Sequence, residues 1–390
     1  MNIIVAGIIG RYPYGGVAWC SLMYLLGLRR LGHRVWYLED TGEANFDPVG
    51  NTKATEPSYA LDFIRNCLAP YDLGDRWCYI DYHGNHHGKT KEQFRAICKE
   101  ADVFLDLSGG CWFWRDEYAS IPHSAFIDSD PAFTQLAIAK GVKWYVDFFS
   151  RFGTLFTFGR NIGTPACTLD TAPFHWEHTW QPVMMKEWTP LTEPPRRMFT
   201  TIMTWQIESF EDIGGNKNVE FEKVLDLPSI TAAPIELAVN GPKKFLGSHG
   251  WRCEDAFAVS HNLSSYRDYI RSSFGEFSVA KHTYVRTNSA WFSDRTACYL
   301  ASGRPAVVQD TGFSAHFPTG NGLIAYRTAE EAKAGLENVL SDWGRHSRAA
   351  QEIASAHFSS DVVLTELLRT VVARATPPSP MSPVRLPEVD

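Results

Sequence analysis

Residues 274–312 contain the side chains best suited to holding an anionic ligand. The pattern predicts a short buried strand ending at Lys281, a polar loop, and a helix over residues 294–302 with Ser293 as its N-cap. The N-terminus of a helix presents free amide hydrogens and the positive end of the helix dipole. Arg295 adds a forked guanidinium that suits phosphate oxygens, so the stretch predicts a diphosphate-binding site.

Two neighbouring features could add to this site. The loop containing Asn288 and Ser289 precedes the helix and could offer backbone amides to a pyrophosphate. Asp294 and Arg295 lie in the first turn of the helix, where both could contact the ligand. The alternative is that Asp294 only complements the helix dipole and that Arg295 only pairs with it on the surface.

Carboxylates follow two predicted strands of the first half. Residues 101–107 and 124–127 have the apolar pattern of buried strands, and the second strand leads into Asp128 and Asp130. Because parallel strand ends open on the ligand-binding edge of a sheet, a carboxylate there could act as general base for an acceptor hydroxyl. We rank Asp130 and Asp128 above Asp106. The alternative for each is an aspartate that only caps its loop by accepting backbone amide hydrogens.

The first forty residues predict a strand, a glycine-containing loop, a helix and a second strand, which is the opening of a doubly wound sheet. Gly15 and Gly16 would let the backbone come close to a ligand at the start of that helix. They do not form the G-x-G-x-x-G sequence of dinucleotide-binding proteins, which argues against a dehydrogenase. The alternative for the glycine pair is a plain tight turn.

Three histidines lie close together in the polar loop at residues 81–88. His83, His86 and His87 invite a metal interpretation, but zinc ligands usually come with a fourth group or a regular spacing. We therefore predict no metal site and interpret the loop as solvated or acceptor-facing.

The composition is that of a folded globular protein. A chain of 390 residues, 44% hydrophobic and 21% charged, fits two domains better than one core. The formal charge of -7 argues against a general electrostatic grip on nucleic acid. Eight cysteines without a C-x-x-C pair indicate reduced thiols. The N-terminal apolar run fits a first strand, and no stretch is long enough to cross a bilayer, so we expect a cytoplasmic protein.

A motif at the end of the helix in residues 274–312 points to a family. The sequence A-S-G-R-P at residues 301–305 leads into an apolar strand at residues 306–309. This resembles the second domain of GT-B glycosyltransferases, in which a helix ending Ala-x-Gly-x-Pro precedes a short strand and holds a sugar nucleotide. The likeness extends over most of the chain. It implies an α/β fold with two Rossmann-like, doubly wound domains that face a cleft.

The resemblance also implies how the chain is divided. Residues 1–190 would form the acceptor domain, and the proline-rich residues 191–197 would form the linker. Residues 198–356 would form the donor domain. Residues 357–374 would return as a helix to the first domain, and residues 375–390, rich in proline and serine, would be a disordered tail.

The resemblance further implies the reaction and its ligands. A sugar would move from a nucleotide diphosphate sugar, bound as donor substrate, to an acceptor hydroxyl or other nucleophile, with no separate cofactor. Lys217 lies where such enzymes place the cation that neutralises the leaving diphosphate, and with Arg295 and the helix N-terminus it would replace a metal ion. Lys281 could hold the sugar or a phosphate.

One position departs from the large nucleotide-sugar families. Those families carry two glutamates eight positions apart, the second of which holds the ribose, and that position falls near Cys298. A thiol cannot replace the carboxylate, although Asp294 could reach the ribose instead. Two alternatives stay open: a nucleotide-sugar epimerase, which shares the fold and needs no acceptor, and a non-catalytic carbohydrate- or nucleotide-binding protein with a degenerate pocket.

Overall fold

Two β-sheets flanked by helices organise the chain. The computed structural model describes residues 1–191, 196–205 and 215–377. Residues 192–195 of the expected linker and residues 378–390 of the expected tail lie outside the described residues.

The first sheet has eight strands. With a small hairpin of β3 and β4, the strands of this half are β1 (Asn2–Ala6), β2 (Arg34–Glu39), β3 (Asn45–Asp47), β4 (Thr52–Ala54), β5 (Trp77–Ile80), β6 (His86–His87), β7 (Val103–Leu107), β8 (His123–Asp128), β9 (Thr154–Thr157) and β10 (Glu177–His178). Their order is β10-β9-β8-β7-β1-β2-β5-β6, and all neighbours are parallel except β5 and β6. The strand order reverses between β1 and β7, where a doubly wound sheet opens a ligand-binding crevice.

The second sheet is fully parallel. Its strands are β11 (Phe199–Thr204), β12 (Ile235–Asn240), β13 (Arg252–Asp255), β14 (Gly275–Ser278), β15 (Ala306–Gln309) and β16 (Leu323–Tyr326). They lie in the order β13-β12-β11-β14-β15-β16, so this sheet reverses between β11 and β14.

Helices cover both sheets. In the first half they are α1 (Gly15–Arg30), α2 (Ser58–Leu68), α3 (Lys91–Glu100), α4 (Asp116–Ala119), α5 (Phe133–Ala139) and α6 (Lys143–Phe149). In the second half they are α7 (Lys217–Phe221), α8 (Leu227–Ile230), α9 (Lys243–Ser248), α10 (Ala256–Ser260), α11 (Leu263–Arg271), α12 (His282–Thr287), α13 (Asp294–Ala301), α14 (Ala329–Ser341), α15 (Trp343–His357) and α16 (Ser360–Val372). Short 3-10 helices lie at Ala69–Tyr71, Met185–Trp188, Glu222–Val224 and Phe313–Ala315.

The end of α13 follows directly from its sequence. Gly303 has a φ of +66°, in the left-handed region that strains a residue with a Cβ. The Arg304 amide donates to the Tyr299 carbonyl at 2.9 Å, which closes the last turn. Pro305 cannot continue a helix, and the chain enters β15.

A shared apolar core joins the two halves. It combines Leu22 of α1, Tyr266 of α11 and Leu364 of α16. A Cβ on Gly27 of α1 would lie 2.5 Å from Leu364, so the absence of a side chain lets α16 pack closely on α1. The last described helix therefore lies against the first half of the chain.

The predicted fold class is confirmed, because both sheets are doubly wound and flanked by helices. One detail is wrong: the strand expected to end at Lys281 ends at Ser278, and the loop expected after it contains α12. None of the described helices is long and apolar enough to cross a membrane.

Candidate active site

An ion pair joins the strand ends of the two sheets. Lys281 follows β14 of the second sheet, and Asp130 follows β8 of the first. The Lys281 Nζ donates to Asp130 Oδ1 at 2.8 Å and to Oδ2 at 2.6 Å. The Asp130 side chain remains 44% exposed. The carboxyl edges of the two sheets therefore face each other at this pair, where α/β sheets bind their ligands.

Lys217 is a buried cation beside this pair. It begins α7 and is only 9% exposed. Within residues 1–191, 196–205 and 215–377, its ammonium makes no hydrogen bond or ion pair. Its pKa is lowered to about 7, first by burial and then by the charges of Arg295 and Lys281, which outweigh those of Glu276 and Asp130. An anion bound here would stabilise the ammonium.

The Arg295 guanidinium is held inside the second domain. Its Nε donates to Glu276 Oε1 at 2.8 Å, its Nη1 to the Ile202 carbonyl at 2.6 Å, and its Nη2 to Ser278 Oγ at 2.7 Å. Burial acts to lower the pKa of Arg295, but the charge of Glu276 raises it above its usual range. All three nitrogens donate to β11 and β14, which leaves one N–H on each of Nη1 and Nη2, so contact of this fork with a diphosphate stays a prediction.

Within the part of the chain that the structure describes, two of the three cations in this cluster are in ion pairs, and the third is not. Arg295 is paired with Glu276, and Lys281 is paired with Asp130. Lys217 makes no ion pair with any carboxylate that the structure describes. Among the described residues, the cluster therefore has one cation without an ion-pair partner.

The N-terminus of α13 lies at the same edge of the sheet. Ser293 was expected to cap this helix, but its hydroxyl makes no capping bond and instead lies 3.4 Å from Asp294 Oδ1. The first-turn amides, which have no partner within a helix, are thus left for another acceptor. Asp294 faces α1, since its charge, after burial, raises the pKa of the Cys20 thiol.

The loop before α13 has a different role from the one expected. The amides of Asn288, Ser289 and Ala290 donate to the carbonyls of Val285, Tyr284 and Thr311 at 3.1, 3.2 and 2.7 Å. This contradicts the expectation that the loop offers amides to a pyrophosphate.

The same loop joins the two halves of the chain. Asn161 Nδ2 donates to the Asn288 carbonyl at 2.9 Å, and the Asn161 amide donates to the Ser289 carbonyl at 3.0 Å. Asn288 has a φ of +51°, which asparagine tolerates better than most residues. The loop is therefore an interdomain contact.

The other two candidate bases are buried. Asp128 is 4% exposed and accepts from Gln135 Nε2 at 3.1 Å, and burial raises its pKa to about 7. Asp106 is fully buried, and burial raises its pKa to about 7 as well. The amides of Gly109 and Gly110 lie near enough to lower the pKa of Asp106 but do not reach hydrogen-bond geometry. Of the three carboxylates, Asp130 is the one open to the cleft.

Several solved structures share this arrangement of two sheets. An α-glucosyltransferase in complex with UDP and a 13-mer DNA containing a HMU base aligns over 95% of this chain and 99% of its own, with 11% identity and a TM-score of 0.58. HepE of Anabaena in complex with UDP aligns over 96% and 100%, with 10% identity and a TM-score of 0.52. The sucrose-phosphate synthase of Thermosynechococcus elongatus aligns over 96% and 99%, with 9% identity and a TM-score of 0.53.

This chain has the GT-B fold. No protein-family model matches its sequence, and no curated protein matches it either. At identities of 9–11%, the likeness to these solved structures shows the fold alone.

In this GT-B chain, Cys298, near which the second glutamate of the nucleotide-sugar families was expected, is a buried thiol. Cys298 is 2% exposed, and burial followed by the charge of Asp294 raises its pKa well above the usual range. The thiol is therefore neutral and cannot hold ribose hydroxyls as a carboxylate would. Asp294 is the acidic residue in the first turn of α13, and its contact with the ribose stays a prediction.

The glycine pair of α1 contacts the other domain. A Cβ on Gly15 would lie 2.3 Å from the Asn262 carbonyl, and a Cβ on Gly16 would lie 2.9 Å from the Tyr266 ring. Such distances are too short for real side chains, so the pair lets α1 approach α11. Close approach of the backbone to a ligand, which was expected of this pair, stays a prediction.

Two buried carboxylates were missed by the sequence analysis. Glu276 lies in the apolar strand β14, and a lone acid in a buried strand is itself a signal that a cation must lie nearby. Glu39 accepts from the Gly10 amide at 2.8 Å and the Arg11 amide at 2.6 Å, and it thereby holds the loop before α1. Neither role shows in a local motif, because both partners come from other elements.

In the histidine loop at residues 81–88, Asp81 is the common hydrogen-bond partner. His87 Nε2 lies 2.8 Å from Asp81 Oδ2, and Asp81 also accepts from the amides of His83 and Asn85 at 2.9 Å. Over the part of the chain that the structure describes, no three His, Cys, Asp or Glu side chains come together as a metal-binding group.

Proposed function

We propose that the chain transfers a sugar from a nucleotide diphosphate sugar to an acceptor hydroxyl or other nucleophile in the cleft of its GT-B fold. The observation that carries this proposal is Lys217, a buried ammonium without a described counterion at the edge where the two sheets meet. A diphosphate would supply the missing negative charge. UDP in the solved structures of similar fold supports a nucleotide of this class.

The proposed reaction uses positive charge where the leaving group forms. The bond between the sugar C1 and the β-phosphate oxygen breaks, and its electron pair stays on the phosphate. Lys217 and the amide end of α13 stabilise that charge, which is the role a metal ion has in other transferases. Arg295 acts through Glu276 as a positioning residue that holds β14 and α13 together.

The Lys281–Asp130 pair couples donor binding to acceptor activation. The diphosphate competes with Asp130 for Lys281, because its oxygens carry more charge than one carboxylate. Once released, Asp130 accepts the proton of the acceptor as the acceptor oxygen bonds to C1. We therefore assign Asp130 as general base, and its 44% exposure leaves it open to an acceptor.

A nucleotide panel tests the proposal. Thermal shifts are measured with UDP, GDP, ADP, CMP and dTDP, each with Mg²⁺ and with EDTA, for the wild type, Lys217→Ala and the exposed control Lys244→Ala. We expect one nucleoside diphosphate to stabilise the wild type and the control regardless of metal, and to bind Lys217→Ala at least tenfold more weakly. If none of the five nucleotides raises the melting temperature of the wild type, the proposal is contradicted.

The products then separate the remaining activities. The stabilising nucleotide is supplied as its sugar conjugate, first alone and then with an acceptor mixture. Transfer gives a glycosylated acceptor, and donor alone stays intact or is slowly hydrolysed. Conversion of donor alone to its epimer would instead identify an epimerase.

The low pKa of Lys217 predicts a pH dependence of stability. The pKa is about 7 in the folded chain and near 10.5 when the residue is free, so between these values the unfolded state holds one more proton. The free energy of unfolding should therefore rise with pH across this window, by at most about 1.4 kcal/mol per pH unit, relative to Lys217→Met. Urea denaturation of both proteins between pH 7 and 9.5 measures the difference.

Binding of a diphosphate should reverse the lowering of the Lys217 pKa. A bound diphosphate raises the pKa of Lys217, so at pH 8.5 the wild type should take up close to one proton per diphosphate bound. Calorimetry in two buffers of different ionisation enthalpy measures the uptake. Binding without proton uptake would mean that the diphosphate does not contact Lys217.

A further inference from the structure

A groove lies between the two domains, beside the candidate active site. Helix α2 forms its wall on the first domain, and residues 261–264 with Arg267 form its wall on the second. Trp19 of α1 and Tyr71 line it as well. Its volume is about 590 Å³, within the range of small-ligand pockets.

One face of α2 lines this groove. Tyr59, Phe63 and Asn66 recur at helical spacing along the groove wall. The opposite face carries Ile64 and Leu68, which are fully buried in the apolar core. Phe63 is itself buried in that core, so the groove face presents the partly exposed Tyr59 ring and the exposed Asn66 amide, on a helix that the core holds in place.

The charged residues of the lining are in ion pairs, although Arg267 Nε is buried without a hydrogen-bond partner among the described residues. Asp62 Oδ1 accepts from Arg65 Nη1 at 2.7 Å. Arg267 Nη1 donates to Glu187 at 3.1 Å, and its guanidinium lies 5.4 Å from the centre of the Trp19 ring. The groove therefore has no excess of either sign to attract an ionic polymer, and it fits a neutral ligand.

Neutral polar groups in the lining are available instead. The Tyr59 hydroxyl, the Asn66 amide and the Ser264 hydroxyl make no hydrogen bond to any residue that the structure describes. They line the groove together with the partly exposed rings of Tyr59 and Tyr71, whereas the rings of Trp19 and Phe63 are buried. Aromatic faces cover the apolar C–H faces of sugar rings, while amides and hydroxyls bond their hydroxyl groups, so the lining suits a saccharide.

The groove ends near the proposed reaction centre. Asn262 lines the groove, and its carbonyl faces Gly15 at the start of α1. Tyr266, one turn further along α11, covers Gly16. Burial and then the charge of Asp294 raise the pKa of Tyr266, so the start of α13 is close by. A chain bound in the groove would lead toward the mouth of the cleft.

We propose that this groove binds a neutral oligosaccharide, as the non-reacting part of the acceptor. The assignment to the acceptor rests on the proposed transferase function, whereas saccharide binding by the groove does not. The proposed acceptor is an uncharged glycan of several sugar units, and nucleic acid is not the proposed occupant of the groove.

The test fills the groove and measures binding directly. Ser264→Trp places a large side chain in the lining, and Asp268→Trp places the same side chain at an exposed position of α11 outside it. Calorimetry on the full chain uses maltotriose, cellotriose, mannotriose and chitotriose as neutral probes and trigalacturonate as the anionic one. We expect a neutral trisaccharide to bind the wild type and Asp268→Trp alike, and Ser264→Trp at least tenfold more weakly.

Other outcomes decide against the groove or against the function. Absence of binding by every neutral trisaccharide, tighter binding of trigalacturonate, or equal binding to Ser264→Trp would overturn the groove assignment. The nucleotide shift is measured on the same three proteins. If it is present without trisaccharide binding, the groove proposal fails alone. If the trisaccharide binds and no nucleotide does, the groove stands and the transferase proposal fails.

Discussion

Arg295→Ala is expected to lower the free energy of unfolding by about 3–5 kcal/mol, the cost of breaking a buried ion pair by removing one partner. The Arg295 side chain is 11% exposed and that of Glu276 is fully buried. After the substitution, the Glu276 carboxylate would lack its Nε–H donor. Its second oxygen, Oε2, already has no hydrogen-bond partner among the described residues. Urea denaturation followed by circular dichroism measures the change.

Two further variants separate the ion pair from general damage. The double variant Arg295→Met/Glu276→Leu removes both charges and should recover most of the lost stability, because an apolar pair leaves no buried charge unpaired. Arg369→Ala breaks an exposed pair with Glu366 and should change the stability little, because water and salt screen such a pair. A loss for Arg295→Ala no larger than that of Arg369→Ala would contradict the buried-pair account.

Local sequence signals were sufficient for the elements but not for the contacts between them. The strand at Ala306–Gln309 matches its expected bounds, because Gly303 and Pro305 mark the turn before it and the strand itself is a short apolar run. Helix α12 was missed. Its sequence, His282–Thr287, has polar and β-branched residues and no apolar face, and tertiary contacts such as the buried Tyr284 decide it.

The side chains of the site were recognised by type more readily than by partner. Arg295 and Glu276 lie 19 positions apart on different elements, and their pairing depends on β14 lying beside α13. Lys281 and Asp130 are 151 positions apart in different domains. No spacing rule relates residues across a domain cleft, so the sequence could predict cations and carboxylates at strand ends but not which of them neutralise one another.

The second large effect expected is the loss of turnover in Asp130→Asn. If Asp130 removes the acceptor proton, the substitution should slow release of the nucleoside diphosphate from the donor sugar about 10²–10⁴-fold, the usual contribution of a general base. Donor binding should be kept or improved, because an amide cannot compete with the diphosphate for Lys281 as the carboxylate does. Steady-state turnover and calorimetric donor affinity are measured on the same protein.

Asp128→Asn is the matched comparison, since it makes the same chemical change two residues earlier. Asp128 is 4% exposed and accepts a hydrogen bond from Gln135, so it does not reach an acceptor in the cleft. Its substitution should slow turnover far less than that of Asp130. Equal losses in both variants would point to damage of the strand end. Full turnover in Asp130→Asn, with donor affinity unchanged, would remove Asp130 from the reaction and leave its pairing with Lys281 as an interdomain contact.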